Sequence, residues 1–579
     1  MPKRWHIAAY DNQRTSDLQR AAQIPTVVAQ LLLARGIDNP ATAREFLEAK
    51  FSGLRDPSEL PHTTTAAELI LKAIRDQQKI TIYGDYDADG MTSTAILWKC
   101  LRMLGADVDF YVPHRIDEGY GLNSSALRKL AQQGTRLIVT VDCGIASVAE
   151  ADVAAEVGLT LIITDHHQMA SSLPQAAALV HPNLPDTTYP FPELCGAGVA
   201  LKLAWALCQQ ADQQQRVSPK YKSFLMQAVG LAAIGTVADV VPLIDENRIL
   251  VRHGLNCLST HPTVGVAALI QQAGLGKKKQ LAGDDIGFSL APRLNAAGRM
   301  GQALLGIELL TTENRDRAQQ LAIYIDDLNE QRKTLERSIQ LAATKQVKER
   351  PDFADASALV LAHHQWHPGV IGIVAGRLAE KYHRPVVLVA TDPLGVRPGI
   401  GSARSIPGFN LHSAFASCDQ YLVSHGGHQA AAGLKIEESR LDAFREAFCA
   451  LATEQISAEQ REAQLHIDAE TTLQSLTHQT VRQIESLAPF GNGNTRPVLC
   501  ANNVRLAGPP RRIGNGGRHL SMTFDEHGVK MRAVAFGGGD WEEELSQAGE
   551  QLSIAFQPVI NNWRGRSSVE IHLADWRAE

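Results

Sequence analysis

Hydrophobic and polar positions change rhythm several times along the chain. From residue 79, short apolar runs of strand length alternate with amphipathic stretches of helical period. The pattern predicts strands over 79–83, 107–112, 136–141 and 160–164, with helices over 91–104, 124–133 and 146–157. This alternation implies a parallel, doubly wound α/β sheet, in which ligands gather outside the carboxyl ends of the strands. Residues 1–75 read as mixed and mainly helical, with an apolar helical stretch over 24–34 and turns at Asn39-Pro40, Asp56-Pro57 and Leu60-Pro61. Between 311 and 350 the chain is charged and free of glycine, and Leu321, Ile325, Leu328, Leu335 and Ile339 recur at helical spacing. They predict one long amphipathic helix joining two lobes. A smaller α/β unit follows, with strands over 358–362 and 385–390 and a helix over 370–382. From about residue 465, short strands separated by Gly, Pro and Asn turns predict a β-barrel. The expected domains are thus 1–75, 76–310, the helix 311–350, 351–460 and 461–579.

A length of 579 residues agrees with several domains, since single cores stop growing at roughly 250–300 residues. Hydrophobic residues at 44% and charged residues at 20% are those of a folded globular chain. No apolar run approaches the roughly 18 residues of a membrane helix, and the opening Met1-Pro2-Lys3-Arg4-Trp5-His6 has no apolar leader. The expected location is the cytoplasm, with no membrane association. Eight scattered cysteines form no Cys-x-x-Cys pair. A net charge of −6 gives no bulk attraction for nucleic acid, so such a partner has to be argued from local sites.

The sharpest local feature is Gly84-Asp85-Tyr86-Asp87-Ala88-Asp89-Gly90, placed between a strand and a helix. Three carboxylates in one loop repel one another unless a cation neutralises them. The preceding strand and the missing loop-closing glutamate exclude an EF-hand. Asp142, before Gly144, and Asp165-His166-His167 end two further strands of the same sheet, so all three segments should converge on one crevice. Asp239 lies in the apolar stretch 235–241, where it is either a ligand, a buried salt bridge or a helix cap. Aspartates mixed with histidine suit Mn²⁺ or Mg²⁺, and two such ions about 4 Å apart would clamp a phosphate, activate water and stabilise a leaving oxygen. Phosphoester hydrolysis is the matching reaction class.

In order and spacing, the 85–90 loop, Asp142, Asp165-His166-His167 and Asp239 resemble the four motifs of the DHH phosphoesterase superfamily. Ser402-Ala403-Arg404-Ser405 and the stretch from Gly426 to Gly433 resemble its DHHA1 domain. Together with the connecting helix, the β-rich C-terminal part and the length, they are similar to its single-strand-specific 5′→3′ exonucleases. The resemblance implies a two-metal enzyme, using Mn²⁺ or Mg²⁺, that releases 5′-mononucleotides from single-stranded DNA in recombination and repair. It implies that Asp87 and Asp142 hold one cation and that Asp89, Asp142, His166 and Asp239 hold the other. Asp85 and His167 would act catalytically beside them, orienting ligands or contacting the phosphate and its water. Some members carry a histidine where this chain has Tyr83, which implies a weaker first cation site. A monomer, a single-stranded-DNA-binding protein and a RecQ-type helicase as partners are further implications.

Candidate substrate contacts surround these motifs. Ser402, Arg404, Gly427 and His428 combine close backbone approach with a guanidinium and an imidazole, a pocket suited to phosphate. Arg293, Asn295 and Arg299 sit on a small-residue scaffold and by resemblance line the nucleic-acid path. Arg505, Arg511, Arg512, Arg518 and His519 fall in a segment without Asp or Glu, in a part that resembles an OB-fold. Trp563, Arg564 and Arg566 could stack there on unpaired bases. Two other readings stay open at this point. One is a DHH oligoribonuclease or nucleotide phosphatase for short substrates, against which the basic C-terminal part argues. The other is a non-catalytic replication scaffold, against which the intact motif residues argue.

Overall fold

The computed structural model describes residues 3–114, 118–213, 216–350, 353, 355–457, 459–549, 551–563 and 566–578. The chain forms two compact units, one of Phe51–Arg461 and one in which Met1–Lys50 joins Glu462–Glu579.

The larger unit is built on five parallel strands, β1 (Lys79–Tyr83), β2 (Val108–Tyr111), β3 (Thr135–Thr140), β4 (Thr160–Thr164) and β5 (Ala178–Val180), in the order β2-β1-β3-β4-β5. The central strands are almost continuously buried, as a sheet covered on both faces requires. The strand order reverses between β1 and β3, which opens a crevice at their carboxyl ends. Helix α1 (Ala88–Met103) begins at that crevice, and its residues from Ala88 to Leu97 are all buried. It packs on α2 (Gly196–Asp212) and α3 (Pro219–Ala238), both rich in alanine and glycine at the contact.

After α4 (Ala291–Arg299) comes the connecting helix α5 (Arg315–Glu349). It starts later than the periodicity implies, because Thr311 ends a separate helix and the Asn314 side chain accepts the amides of Asp316 and Arg317. Its 35 residues span about 50 Å. Leu321, Ile325 and Leu328 enter the core of the first lobe, and Ile339 and Ala343 enter a core of the second. That lobe holds β6 (Leu359–His363), β7 (Val386–Ala390), β8 (Gly399–Arg404), β9 (Ser424–Gly427) and β10 (Ala431–Ile436), ordered β9-β10-β8-β7-β6, with α6 (Pro368–Tyr382) packed on it. β6 and β7 run parallel, and the other neighbours run antiparallel.

In the smaller unit, Leu499–Leu506, His519–Glu526, Val529–Ala535, Leu552–Trp563 and Arg566–Ala578 close a barrel. The first strand pairs with the second and the fourth, and the third runs parallel to the fifth. This is the Greek-key arrangement of an OB-fold. The strand Arg4–Ile7 pairs with Gln464–Ile467, and Val28, Leu31 and Leu32 pack into the same core as Leu499, Phe524 and Phe556. The first 75 residues are therefore divided near Lys50 instead of forming one segment. Periodicity marks the apolar face of these helices but not the surface that covers it. Among the described residues no helix is long and apolar enough to cross a membrane. Arg564 and the side chain of Trp563 lie outside the described residues.

Candidate metal centre

Each motif side chain reaches the crevice by a specific backbone device. Asp87 caps α1, its Oδ1 accepting the amides of Asp89 at 2.9 Å and Gly90 at 3.0 Å. Asp89, the second residue of the helix, is gripped through both oxygens by the first amides of α2, Gly196 at 2.7 Å and Ala197 at 2.9 Å. Asp142 follows β3 with φ of 61°, a left-handed conformation that Asp and Asn tolerate better than most side chains. Asp239 caps the C-terminal end of α3. These placements bring Asp85, Asp87 and Asp142 into one trio, Asp89, His166 and Asp239 into a second, and Asp142, His166 and His167 into a third, with ligand atoms in each trio within 4.8 Å.

His166 Nε2 lies 3.1 Å from Asp142 Oδ1, 3.6 Å from Asp239 Oδ2 and 3.9 Å from Asp89 Oδ2. Buried polar atoms are nearly always hydrogen-bonded, yet His166 Nε2 and Asp142 Oδ1 have no such partner among the described residues. The two atoms lie 3.1 Å apart, close enough to share one cation. Asp165 behaves differently. Its oxygens accept the amides of Ile145, His166 and His167 and the ring nitrogen Nδ1 of His167 at 2.8 Å. It is fully engaged and orients the His167 imidazole, while holding the backbone of His166.

The electrostatics follow from this crowding. Burial, then the Asp87 charge, pushes Asp89 up to about 6. Burial, then Asp89 and Asp87, pushes Asp239 up to about 8, and burial and the surrounding carboxylates drive Asp142 well above its usual range. Burial and the neighbouring His167 lower His166 to about 3, so its ring keeps the lone pair that a ligand needs. Burial opposes protonation of His167, but the Asp165 hydrogen bond and charge outweigh it and raise His167 to about 9. The donor set fits divalent cations, which supply the positive charge that the carboxylates otherwise take from protons.

Raised carboxylate pKa values stabilise the cation-free fold below the ordinary carboxylate range, and that contribution is lost as pH rises through about 6 to 8. Mn²⁺ at a hundred times its dissociation constant adds about 2.7 kcal/mol, or roughly 3 °C in the melting temperature of a unit this large. Calorimetry should find this shift near pH 8 and a smaller one at pH 5.5, where protons compete. Equal shifts would contradict the assignment.

Sequence reasoning misses several parts of this site. The Tyr120 hydroxyl lies 2.9 Å from His167 Nδ1 and donates to the Asp142 carbonyl at 3.1 Å. Its setting between Gly119 and Gly121, both at positive φ, is the available signal. Gly196 and Gly235 permit the close packing. A Cβ at Gly196 would meet Asp142 Oδ1 at 2.5 Å, and one at Gly235 would meet Asp89 Oδ1 at 2.3 Å and the Ala197 methyl at 2.6 Å. Gly235→Ala should therefore displace Asp89 and weaken Mn²⁺ binding by about tenfold or more, measurable by titration calorimetry. Unchanged affinity would mean that α3 shifts without moving the ligand. Tyr83 turns away from the cluster into a separate core, where its hydroxyl donates to the Gly121 carbonyl.

The expected substrate contacts have mixed placements. Ser402 and Arg404 lie on β8, with the Arg404 guanidinium donating to Ser402 Oγ at 3.2 Å and to the Ala403 carbonyl at 2.8 Å. Gly427 ends β9, and His428 Nδ1 is 3.4 Å from Oε1 of Gln168, the residue after His167. The second lobe thus reaches the metal crevice. Arg293 is engaged elsewhere, ion-paired through Nε with Asp326 on α5 at 2.9 Å, while its Nη1 donates to the Ser289 carbonyl. Asn295 accepts the Ala88 amide and so holds the acidic loop, while Arg299 donates to the Gly369 carbonyl. These three residues join parts of the protein, a placement that their position in a basic, small-residue stretch does not reveal. In the smaller unit Arg511 is exposed, Arg512 pairs with Glu542 at 2.7 Å, and Arg518 donates to the Asn515 carbonyl.

Comparison with known proteins agrees with this construction. Residues 79–236 match the DHH family, N-terminal domain, residues 355–454 the DHHA1 domain, and residues 467–575 the RecJ OB domain. The chain is 38% identical over 574 residues to the single-stranded-DNA-specific exonuclease RecJ of Bacillus subtilis, covering 99% of this chain and 70% of that one. It is 34% identical over 569 residues to RecJ of Escherichia coli, covering 96% of each. The crystal structure of RecJ from Thermus thermophilus in complex with Mn²⁺ superposes with a TM-score of 0.83 at 31% identity, covering 99% of this chain and 79% of that one, and a Mg²⁺ complex of the same protein also matches. Agreement at this level, running through both lobes and the barrel, makes the chain a member of the RecJ family.

Proposed function

We propose that this chain is a metal-dependent exonuclease that hydrolyses single-stranded DNA from the 5′ end and releases 5′-mononucleotides, in DNA recombination and repair. The observation that carries the reading is the convergence of Asp85, Asp87, Asp89, Asp142, His166 and Asp239 at the strand-order reversal of the sheet. Relatives named for this activity support the choice of substrate. Asp85, Asp87 and Asp142 would hold one divalent cation, and Asp89, Asp142, His166 and Asp239 the other. Bound there, the cations neutralise phosphoryl oxygens and favour ionisation of the attacking water.

The remaining residues position and protonate. Asp165 and Tyr120 fix His167 through Nδ1, which leaves Nε2 to meet a phosphoryl oxygen or the water. Ser402, Arg404 and His428 face the 5′-terminal phosphate as a cationic pocket. A strand seated between pocket and metals has its end defined by the pocket, which gives polarity. We place the protein in the cytoplasm as a monomer, working with a helicase and a single-stranded-DNA-binding protein that supply and present the strand. Digestion of 5′-labelled and 3′-labelled single strands and of a blunt duplex, with Mn²⁺ or Mg²⁺, tests the reading. A labelled mononucleotide released first from the 5′ label is expected. Attack from the 3′ end, or equal attack on the duplex, would refute it.

A further inference from the structure

We infer that Tyr83, Tyr111 and Glu118 are positioning residues for hydrolysis, clamping the loop that carries Tyr120 and so holding Tyr120 against His167 and the Asp142 backbone. The inference rests on the exonuclease reading and extends it to residues outside the ligand trios. The loop leaves β2 after Tyr111 and sets Tyr120 between Gly119 and Gly121, at φ of 84° and 87°. Glycine loses more backbone freedom on being fixed than any other residue, so the glycines by themselves leave Tyr120 loosely held. Other contacts have to fix it if its hydroxyl is to stay 2.9 Å from His167 Nδ1 and 3.1 Å from the Asp142 carbonyl.

A clamp stands on each side of Tyr120. Before it, both oxygens of Glu118 turn back into the loop, Oε1 accepting the Tyr111 hydroxyl and Oε2 the His114 amide, each at 2.6 Å. The Glu118 amide donates to the His114 carbonyl at 2.8 Å and closes this turn. Tyr111 is itself anchored, since its carbonyl accepts the Gly84 amide at 2.9 Å and its ring lies 5.2 Å from that of Tyr83. After Tyr120, the Tyr83 hydroxyl donates to the Gly121 carbonyl at 3.2 Å. Tyr83 ends β1 and is fully buried, so this bond ties the loop to the sheet. The side chain that stands where some relatives carry a histidine thus serves the site through the loop instead of through a cation.

The test measures hydrolysis of 5′-phosphorylated single strands by the full chain in Mn²⁺, together with amide hydrogen exchange across residues 118–123. Tyr83→Phe removes one hydroxyl and keeps the ring. It should lower kcat about tenfold, change KM less than about twofold and speed exchange in the loop. Glu118→Ala should do the same from the other side; should it fail to fold, Tyr111→Phe breaks that clamp with the packing kept. In a Tyr120→Phe background neither change should lower kcat further, because a clamp acts only through the residue it holds. Losses that multiply in that background would make these residues supports of the fold at large and overturn the role. Faster exchange with unchanged kcat, or exchange that no variant alters, would overturn it as well. A wild type that cuts no single strand overturns the exonuclease reading, and exchange alone then decides whether the loop is clamped.

Discussion

Asp142→Asn is expected to slow strand hydrolysis by at least about a hundredfold while raising the melting temperature of the cation-free protein at pH 8. The two effects have one cause. Asp142 joins Asp85 and Asp87 in one ligand trio and lies 3.1 Å from His166 of the trio with Asp89 and Asp239, so an amide there weakens both proposed cation positions at once. The same substitution removes a charge that burial and four neighbouring aspartates oppose, which relieves the cation-free fold. Asparagine also suits the left-handed backbone at this position, whereas alanine would add strain. Hydrolysis rate and a melting curve in EDTA measure the two effects. A rate above about a tenth of wild type would refute the bridging role.

Arg404→Ala should lower the rate on 5′-phosphorylated strands by about ten- to a hundredfold, the value of one or two charge-assisted hydrogen bonds, and change the rate on 5′-hydroxyl strands far less. The guanidinium is held against β8 by Ser402 and the Ala403 carbonyl, so it is already oriented before a ligand arrives. Gly372 on α6 keeps the space open, because a Cβ there would lie 2.8 Å from Ser402 Oγ and 3.2 Å from the guanidinium. The comparison is made on the same oligonucleotide with and without its terminal phosphate. An unchanged ratio between the two would remove the pocket even if both rates fell.

The parts of this molecule that were legible in the sequence are those encoded locally. The acidic loop is framed by a strand and a capped helix, and the strand-end residues Asp142 and Asp165-His166-His167 follow from the alternation of elements. What stayed hidden depends on distant partners. Nothing near Asp89 reveals that α2, more than a hundred residues later, offers it two amides. Arg293 and Asn295 look like ligands for a polyanion, yet their partners Asp326 and Ala88 lie elsewhere in the chain. Tyr83 reads as a missing ligand in the sequence, and only the folded loop sets its hydroxyl on the Gly121 carbonyl.

The joining of residues 1–50 with the barrel has a consequence for synthesis. Val28, Leu31 and Leu32 emerge from the ribosome more than four hundred residues before Leu499, Phe524 and Phe556, the side chains they pack with. At about 5–20 residues per second, that delay is roughly 20–100 seconds, long compared with hydrophobic collapse. During this time the larger unit can form from residues already made, while the opening helices wait with an uncovered apolar face. The nascent chain therefore presents, early and for long, the kind of surface that chaperones bind. Barrel substitutions that delay closure should lengthen that exposure and lower yield without touching the metal centre.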